Sequence, residues 1–141
     1  MIKKIIVIAV VMLIGGGLIY YFLAQKSVNR KKELIIVENP QPNEIIQSPY
    51  AIKGQARGYW FFEGSFPIKL LDEKGNIIRE TFTQAQDEWM TEDFIPFELI
   101  LDFYIPKDQP GTLIFIKDNP SGLPENDAQI RVPVFLKASE I

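Results

Sequence analysis

The chain has 141 residues and a formal net charge of −3, with 47% hydrophobic and 23% charged residues, enough apolar content for one small domain with a core. It has no cysteine and no histidine. That excludes disulfides, thiolate nucleophiles, thiolate zinc sites, Ser-His-Asp chemistry and histidine-held metals, leaving carboxylates, Lys, Tyr, Ser and Thr as possible catalytic groups.

Residues Ile5 to Ala24 read IIVIAVVMLIGGGLIYYFLA, twenty residues without a charge. As a helix they rise about 30 Å, the thickness of a hydrocarbon core. Tyr20 and Tyr21 fall near one end, where amphipathic rings favour the headgroup region. The run is longer than the apolar region of a cleaved signal peptide, and Leu23-Ala24-Gln25 is a poor cleavage site, so residues 1–24 are expected to be an uncleaved anchor in the lipid bilayer. Residues 25–32 follow as a basic linker carrying Lys26, Arg30, Lys31 and Lys32. A strict count of flanking positive charge puts the carboxyl side in the cytoplasm.

The first 32 residues carry +6 and residues 33–141 carry −9. The acidic balance argues against nucleic acid as a partner of the second segment. That segment reads as all-β. Leu34–Val37 is a short apolar run, stopped by Glu38-Asn39-Pro40-Gln41-Pro42-Asn43, and Ile45-Ile46 precedes Ser48-Pro49. Residues Ala51–Ala56 alternate, and Phe66–Leu71 is a strand ended by Asp72-Glu73-Lys74-Gly75, a hairpin turn in which Gly75 supplies positive φ. Asn76–Thr83 is the return strand. Phe97, Leu99, Leu101 and Phe103 share one face of the next strand, with Glu98 and Asp102 on the other. Thr112–Lys117 and Ile130–Lys137 complete the set, and Pro133 suggests an edge strand or a bulge in the last. Seven or eight short strands over 109 residues, with no convincing amphipathic helix, fit an immunoglobulin-like β-sandwich lacking the inter-sheet disulfide.

Three segments go beyond strand pattern. They are Pro42-Asn43 with Ser48-Pro49, Gly54 and Ala56; the run YWFFEGSFP from Tyr59 to Pro67 with Leu70 and Asp72; and Trp89-Met90-Thr91, Phe94–Phe97 and the run NPSGLPEN from Asn119 to Asn126. In that order they resemble the immunoglobulin-like domain of bacterial spore germination, over roughly residues 34–137. The resemblance implies a β-sandwich on the outer face of a bacterial cytoplasmic membrane, opposite to the orientation from charge. Against the two-domain arrangement that the resemblance implies, only an anchor and one module are expected here.

Three stretches are candidate sites. The stretch Arg57 to Glu63 is the best candidate for a partner surface, because its four consecutive aromatics, Tyr59, Trp60, Phe61 and Phe62, cannot all face inward on a strand, and Glu63 follows them. The alternative is a bent strand or loop that tucks three of them under the sandwich. Asp87 to Asp93 surrounds Trp89 with four carboxylates. Glu63, Glu88, Glu92 and Glu125 are conceivable members of a glycosidase pair, but nothing in the sequence makes them converge. Residues 118–127 are rich in oxygen ligands, yet lack the D-x-D-x-D-G order of a calcium loop, so Asn119, Ser121, Glu125 and Asn126 read as a structured turn that shapes the partner surface. No catalytic, cofactor or metal residue is assigned. The expectation is a non-catalytic module binding an envelope glycan, peptidoglycan or envelope protein. A structural subunit of an envelope complex is the alternative, and a carboxylate-only glycoside hydrolase a remote one.

Overall fold

The computed structural model describes residues 34–139. The expected anchor and basic linker lie outside the described residues. Among those that are described, no helix is long and apolar enough to cross a membrane.

Eight strands form in chain order: β1 (Ile35–Asn39), β2 (Glu44–Ile46), β3 (Tyr50–Arg57), β4 (Ser65–Leu71), β5 (Ile77–Ala85), β6 (Phe94–Leu101), β7 (Gln109–Ile116) and β8 (Gln129–Leu136). Two single 3₁₀ turns, Gly58–Trp60 and Pro124–Asn126, are the only helical segments among the described residues. The strands hydrogen-bond in the order β1-β3-β6-β5-β4-β7-β8-β2. The sheet folds over at the β5–β6 junction, where only Gln84↔Glu98 and Ala85↔Phe97 pair, against seven pairs between β5 and β4. The two halves then face each other. Phe66 on β4 stands 5.1 Å from Phe97 on β6, and Phe97 stands 6.1 Å from Phe115 on β7, although neither pair of strands is adjacent. The fold is thus all-β and sandwich-like.

Period-two patterning places the core. Phe66, Ile68 and Leu70 of β4 are fully buried, Val132, Val134 and Leu136 of β8 are buried against them in the core, and Arg131, Pro133 and Phe135 face outward. Each such buried side chain contributes roughly 1.5–3 kcal/mol. Gly54 pairs with Phe97, and a Cβ there would fall 2.6 Å from the Phe97 ring and 2.4 Å from the Ile36 carbonyl. The absent side chain is the space that the ring occupies. Outside the core, Lys53–Glu98 and Lys69–Glu80 are ion pairs on directly opposed strand positions, at 3.1 and 3.2 Å.

The Asp72–Gly75 turn forms as the sequence predicts. Gly75 has φ +86°, and Asp72 Oδ1 accepts the backbone N–H groups of Lys74 and Asn76 at 2.8 and 2.7 Å. The expectation for Pro133 needs correction. Strand β8 is neither bulged nor an edge, since it lies between β7 and β2. Its proline is tolerated because β2 spans only three residues and pairs from Val134 onward. At Pro133 the carbonyl accepts from Asn43 N–H at 2.7 Å, and no ladder bond is needed on that side.

Between β1 and β2 the chain crosses from one edge of the sheet to the other. The crossing is held by Gln41 N–H donating to Glu44 Oε2 at 2.7 Å, and by the Tyr50 hydroxyl, 2.6 Å from Glu44 Oε1 and 2.8 Å from Asn39 Oδ1. Partial burial and the adjacent carboxylate push the Tyr50 phenol from 10.0 up to about 12. The same hydroxyl and the Gln41 amide lower the Glu44 carboxyl. The signs differ at the two ends of the pH range. Tyr50 contributes stability that is fully present below pH 10.0 and is lost as pH rises through about 12. Glu44 contributes stability present above the ordinary carboxylate range and lost as pH falls below it. Unfolding midpoints measured against pH are expected to fall more steeply above pH 10 in the parent than in Tyr50→Phe. Parallel profiles for the two proteins would refute the assignment.

Candidate functional site

The alternating strand directions bring three connections to one end of the domain: residues 58–64 between β3 and β4, residues 86–93 between β5 and β6, and residues 117–128 between β7 and β8. Leu34 is at this end too, its carbonyl accepting Arg57 N–H at 2.9 Å.

The first connection is a 3₁₀ turn rather than a strand, and this decides the fate of the four aromatics. Three residues per turn replace strict alternation. Trp60 and Phe61 turn into the core at 1% and 4% exposure, while Tyr59 and Phe62 stay out at 48% and 40%. Trp60 and Phe61 are therefore not surface residues, as their place in the aromatic run suggested. They pack edge-on against Phe66, at 6.2 and 5.1 Å. Phe62 and Ser65 then exchange backbone hydrogen bonds at 2.9 and 3.1 Å across Glu63 and Gly64, whose φ values are +50° and +74°. Both central residues of this two-residue turn are left-handed, the geometry that matches the twist of a hairpin and favours Asn-Gly. Glu63 is a poor occupant of its position, and Glu63→Asn is expected to raise stability by about 0.5–1 kcal/mol. A lower denaturation midpoint for that variant would contradict this reading of the turn.

The second connection sits directly on the first. Gly58 N–H donates to Asp93 O at 3.1 Å, and Arg57 Nη1 donates to Glu92 O at 3.1 Å while its guanidinium lies 3.9 Å over the Phe94 ring. A Cβ on Gly58 would fall 2.0 Å from Thr91 O and 2.2 Å from Trp89 O, so glycine is what lets the two backbones meet. The half-buried Trp89 indole lies over Gly64, 3.4 Å from where a Cβ would be. Between these two connections runs a shallow groove of about 300 Å³, lined by Gly58, Tyr59, Trp89, Met90, Thr91 and Glu92. Met90 is 75% exposed.

The third connection is tied to the first through Asp118 N–H, which donates to Trp60 O at 3.1 Å. The side chains of Asn119, Ser121, Asn126 and Asp127 are engaged with the loop itself. Asn119 Nδ2 donates to Leu123 O and to Asp127 Oδ1 at 2.9 and 2.6 Å, Ser121 Oγ donates to Asn119 Oδ1 at 2.5 Å, and Asn126 Nδ2 donates to Ser121 Oγ at 3.0 Å. These are the bonds of a structured turn. Asn119, Ser121, Glu125 and Asn126 do not line the groove. Among the described residues no three carboxylates are grouped closely enough to hold a metal ion.

The charge is distributed unevenly. Glu63 in the first connection, Asp87, Glu88, Glu92 and Asp93 in the second, and Asp118, Glu125 and Asp127 in the third face a single lysine, Lys117, giving −7. The remainder of residues 34–139 carries eight acidic and eight basic side chains. The whole net charge of the described domain is thus on these three connections. Sequence reasoning placed Gly58 inside the candidate stretch Arg57 to Glu63, and Met90 and Thr91 inside Asp87 to Asp93, but gave none of the three a role of its own. A glycine opposite a strand end and a methionine beside a tryptophan are weak signals until the two loops are seen to touch.

A family model described as the immunoglobulin-like domain of bacterial spore germination, Gmad2, matches residues 34–123. The chain belongs to this family. The matched range begins at the first described residue and runs through β7 into the third connection, so β8 lies beyond it. The Gmad2 match includes the groove and all of its lining residues. No curated protein matches the chain.

Proposed function

We propose that this Gmad2 domain is a non-catalytic binding module, tethered to the cytoplasmic membrane by residues 5–24 and displayed on the extracytoplasmic side, where its loop end holds a cell-envelope component. The observation that carries the reading is the groove with exposed Tyr59 and Met90 at its rim and Trp89 in its wall. Solvent-exposed aromatic and thioether side chains set on rigid strand ends are the usual material of a recognition surface. The uncharged twenty-residue run supports the tether, and the family supports an envelope setting. The lack of histidine and cysteine in the chain favours binding over catalysis. The test is retention of the detergent-solubilised full-length chain on isolated cell wall and on envelope protein fractions. The Tyr59→Ala/Met90→Ala variant is expected to lose most of the retention, and equal retention of both proteins would refute the proposal.

A second reading, a structural subunit of an envelope complex, draws on Phe82 and Ile100, which are 56% and 54% exposed on the outward faces of β5 and β6. Under that reading, Phe82→Ser breaks co-purification in mild detergent and the loop variant does not.

A further inference from the structure

The segregation of charge narrows what the groove accepts. An aromatic groove alone would suit a sugar ring, an apolar side chain or a cation. Eight carboxylates on the three surrounding connections, against one lysine, change that choice. Of these, Glu92 lines the groove itself; Arg57, which donates to the Glu92 carbonyl, offsets one charge at this end, and the excess of carboxylates that remains favours a cation over an anion on approach. Anionic glycans and phosphate-bearing polymers are repelled from this end. A lysine or arginine side chain fits both features at once, because its apolar stem can lie along Tyr59 and Met90 while its head reaches the carboxylate of Glu92 at the groove margin. Met90 is the adaptable element of such a surface, since an unbranched thioether repacks around different stems.

We infer that the partner held at the loop end is a cationic polypeptide segment, one that presents lysine or arginine beside an apolar residue. This rests on the binding-module reading above and names the chemistry of its ligand.

The probes are three synthetic peptides of equal length: alternating Lys-Trp, alternating Glu-Trp, and all-Lys. Each is titrated into the full-length chain in detergent, with the Met90 methyl group, distinct from those of Met1 and Met12, as the local reporter. The Lys-Trp peptide is expected to bind, to move the Met90 signal, and to weaken steeply as salt is raised. The all-Lys peptide binds more weakly and the Glu-Trp peptide not at all. Glu88→Gln/Glu92→Gln/Glu125→Gln is expected to lower Lys-Trp affinity on the order of tenfold. A control with the same change of charge, Glu73→Gln/Glu80→Gln/Asp102→Asn, lowers it less than about twofold, because those residues lie toward the middle or the opposite end of the strands. Equal losses in the two variants, an unmoved Met90 signal, or binding of the Glu-Trp peptide would overturn the inference. If the Tyr59→Ala/Met90→Ala chain loses envelope retention while no cationic peptide binds, this inference falls and the binding-module reading stands. If neither occurs, both fall.

Discussion

Phe66→Ala is expected to lower the unfolding free energy by about 3–5 kcal/mol. Phe66 is fully buried and is the meeting point of three rings, with Trp60, Phe61 and Phe97 at 6.2, 5.1 and 5.1 Å. Two of those rings belong to the connection that carries Tyr59, and the third to the opposite layer. Truncation removes the burial of one phenyl group, leaves a cavity that a close-packed interior fills only partially, and abolishes three edge-on contacts. A domain of this size has about 5–15 kcal/mol in total, so the loss is a large share of it. Urea unfolding of the two proteins checks the prediction, with Phe135→Ala as the contrast. Phe135 is an outward residue on β8, and its truncation is expected to cost less than about 1 kcal/mol. Similar losses at the two positions would mean that the rings around Phe66 do not hold the layers together.

Gly58→Ala is expected to act on the groove as much as on stability. The new methyl group meets two backbone carbonyls, Thr91 O at 2.0 Å and Trp89 O at 2.2 Å, and neither can move without its loop. Relief requires residues 86–93 to lift by roughly 1 Å or more, which breaks the Gly58–Asp93 hydrogen bond and separates Tyr59 from Trp89 and Met90. The cost is about 2–3 kcal/mol, in the range of overpacked cores. The comparison is Gly75→Ala, where φ is +86° and nothing lies within 4 Å of the new Cβ. That variant is expected to lose only about 1 kcal/mol, through backbone conformation alone. Trp89 fluorescence and amide exchange at Gly58 and Asp93 separate the two cases. Native emission and native exchange in Gly58→Ala would show that the loops do not depend on this contact.

The strands were legible because their residues alternate. Phe66, Ile68 and Leu70 face inward while Lys69 faces a glutamate across the ladder, and the alternation is written in the chain itself. Asp72 to Gly75 was legible for a local reason too, since a carboxylate that accepts N–H groups from the next few residues, followed by a glycine, makes its own turn. What was not legible depended on partners distant in sequence. Strand spacing could not reveal that Tyr59 to Phe62 would enter a 3₁₀ turn, because that turn is fixed by Gly58 seated under Thr91 and by Asp118 bonded to Trp60. The charge pattern was hidden in the same way. A value of −9 for residues 33–141 reads as diffuse acidity until antiparallel pairing gathers residues 63, 87–93 and 118–127 at one end. Pro133 misled because a proline marks a missing ladder bond, and a strand can lack one locally while lying between two neighbours.

The short strand β2 has a mechanical consequence. It runs parallel to β8, the last strand of the domain, and its ladder is bracketed by Asn43 N–H donating to Pro133 O and Lys137 N–H donating to Ile46 O, at 2.7 and 2.9 Å. Because the two strands run in the same direction, tension applied between Leu34 and Ser139 slides one past the other along their length. The bonds of the patch then bear load together, whereas an antiparallel pair pulled from its open end would unzip bond by bond. Three residues of β2 thus act as a shear clasp, which bears the load once β1, lying between Leu34 and β2, has been drawn off β3.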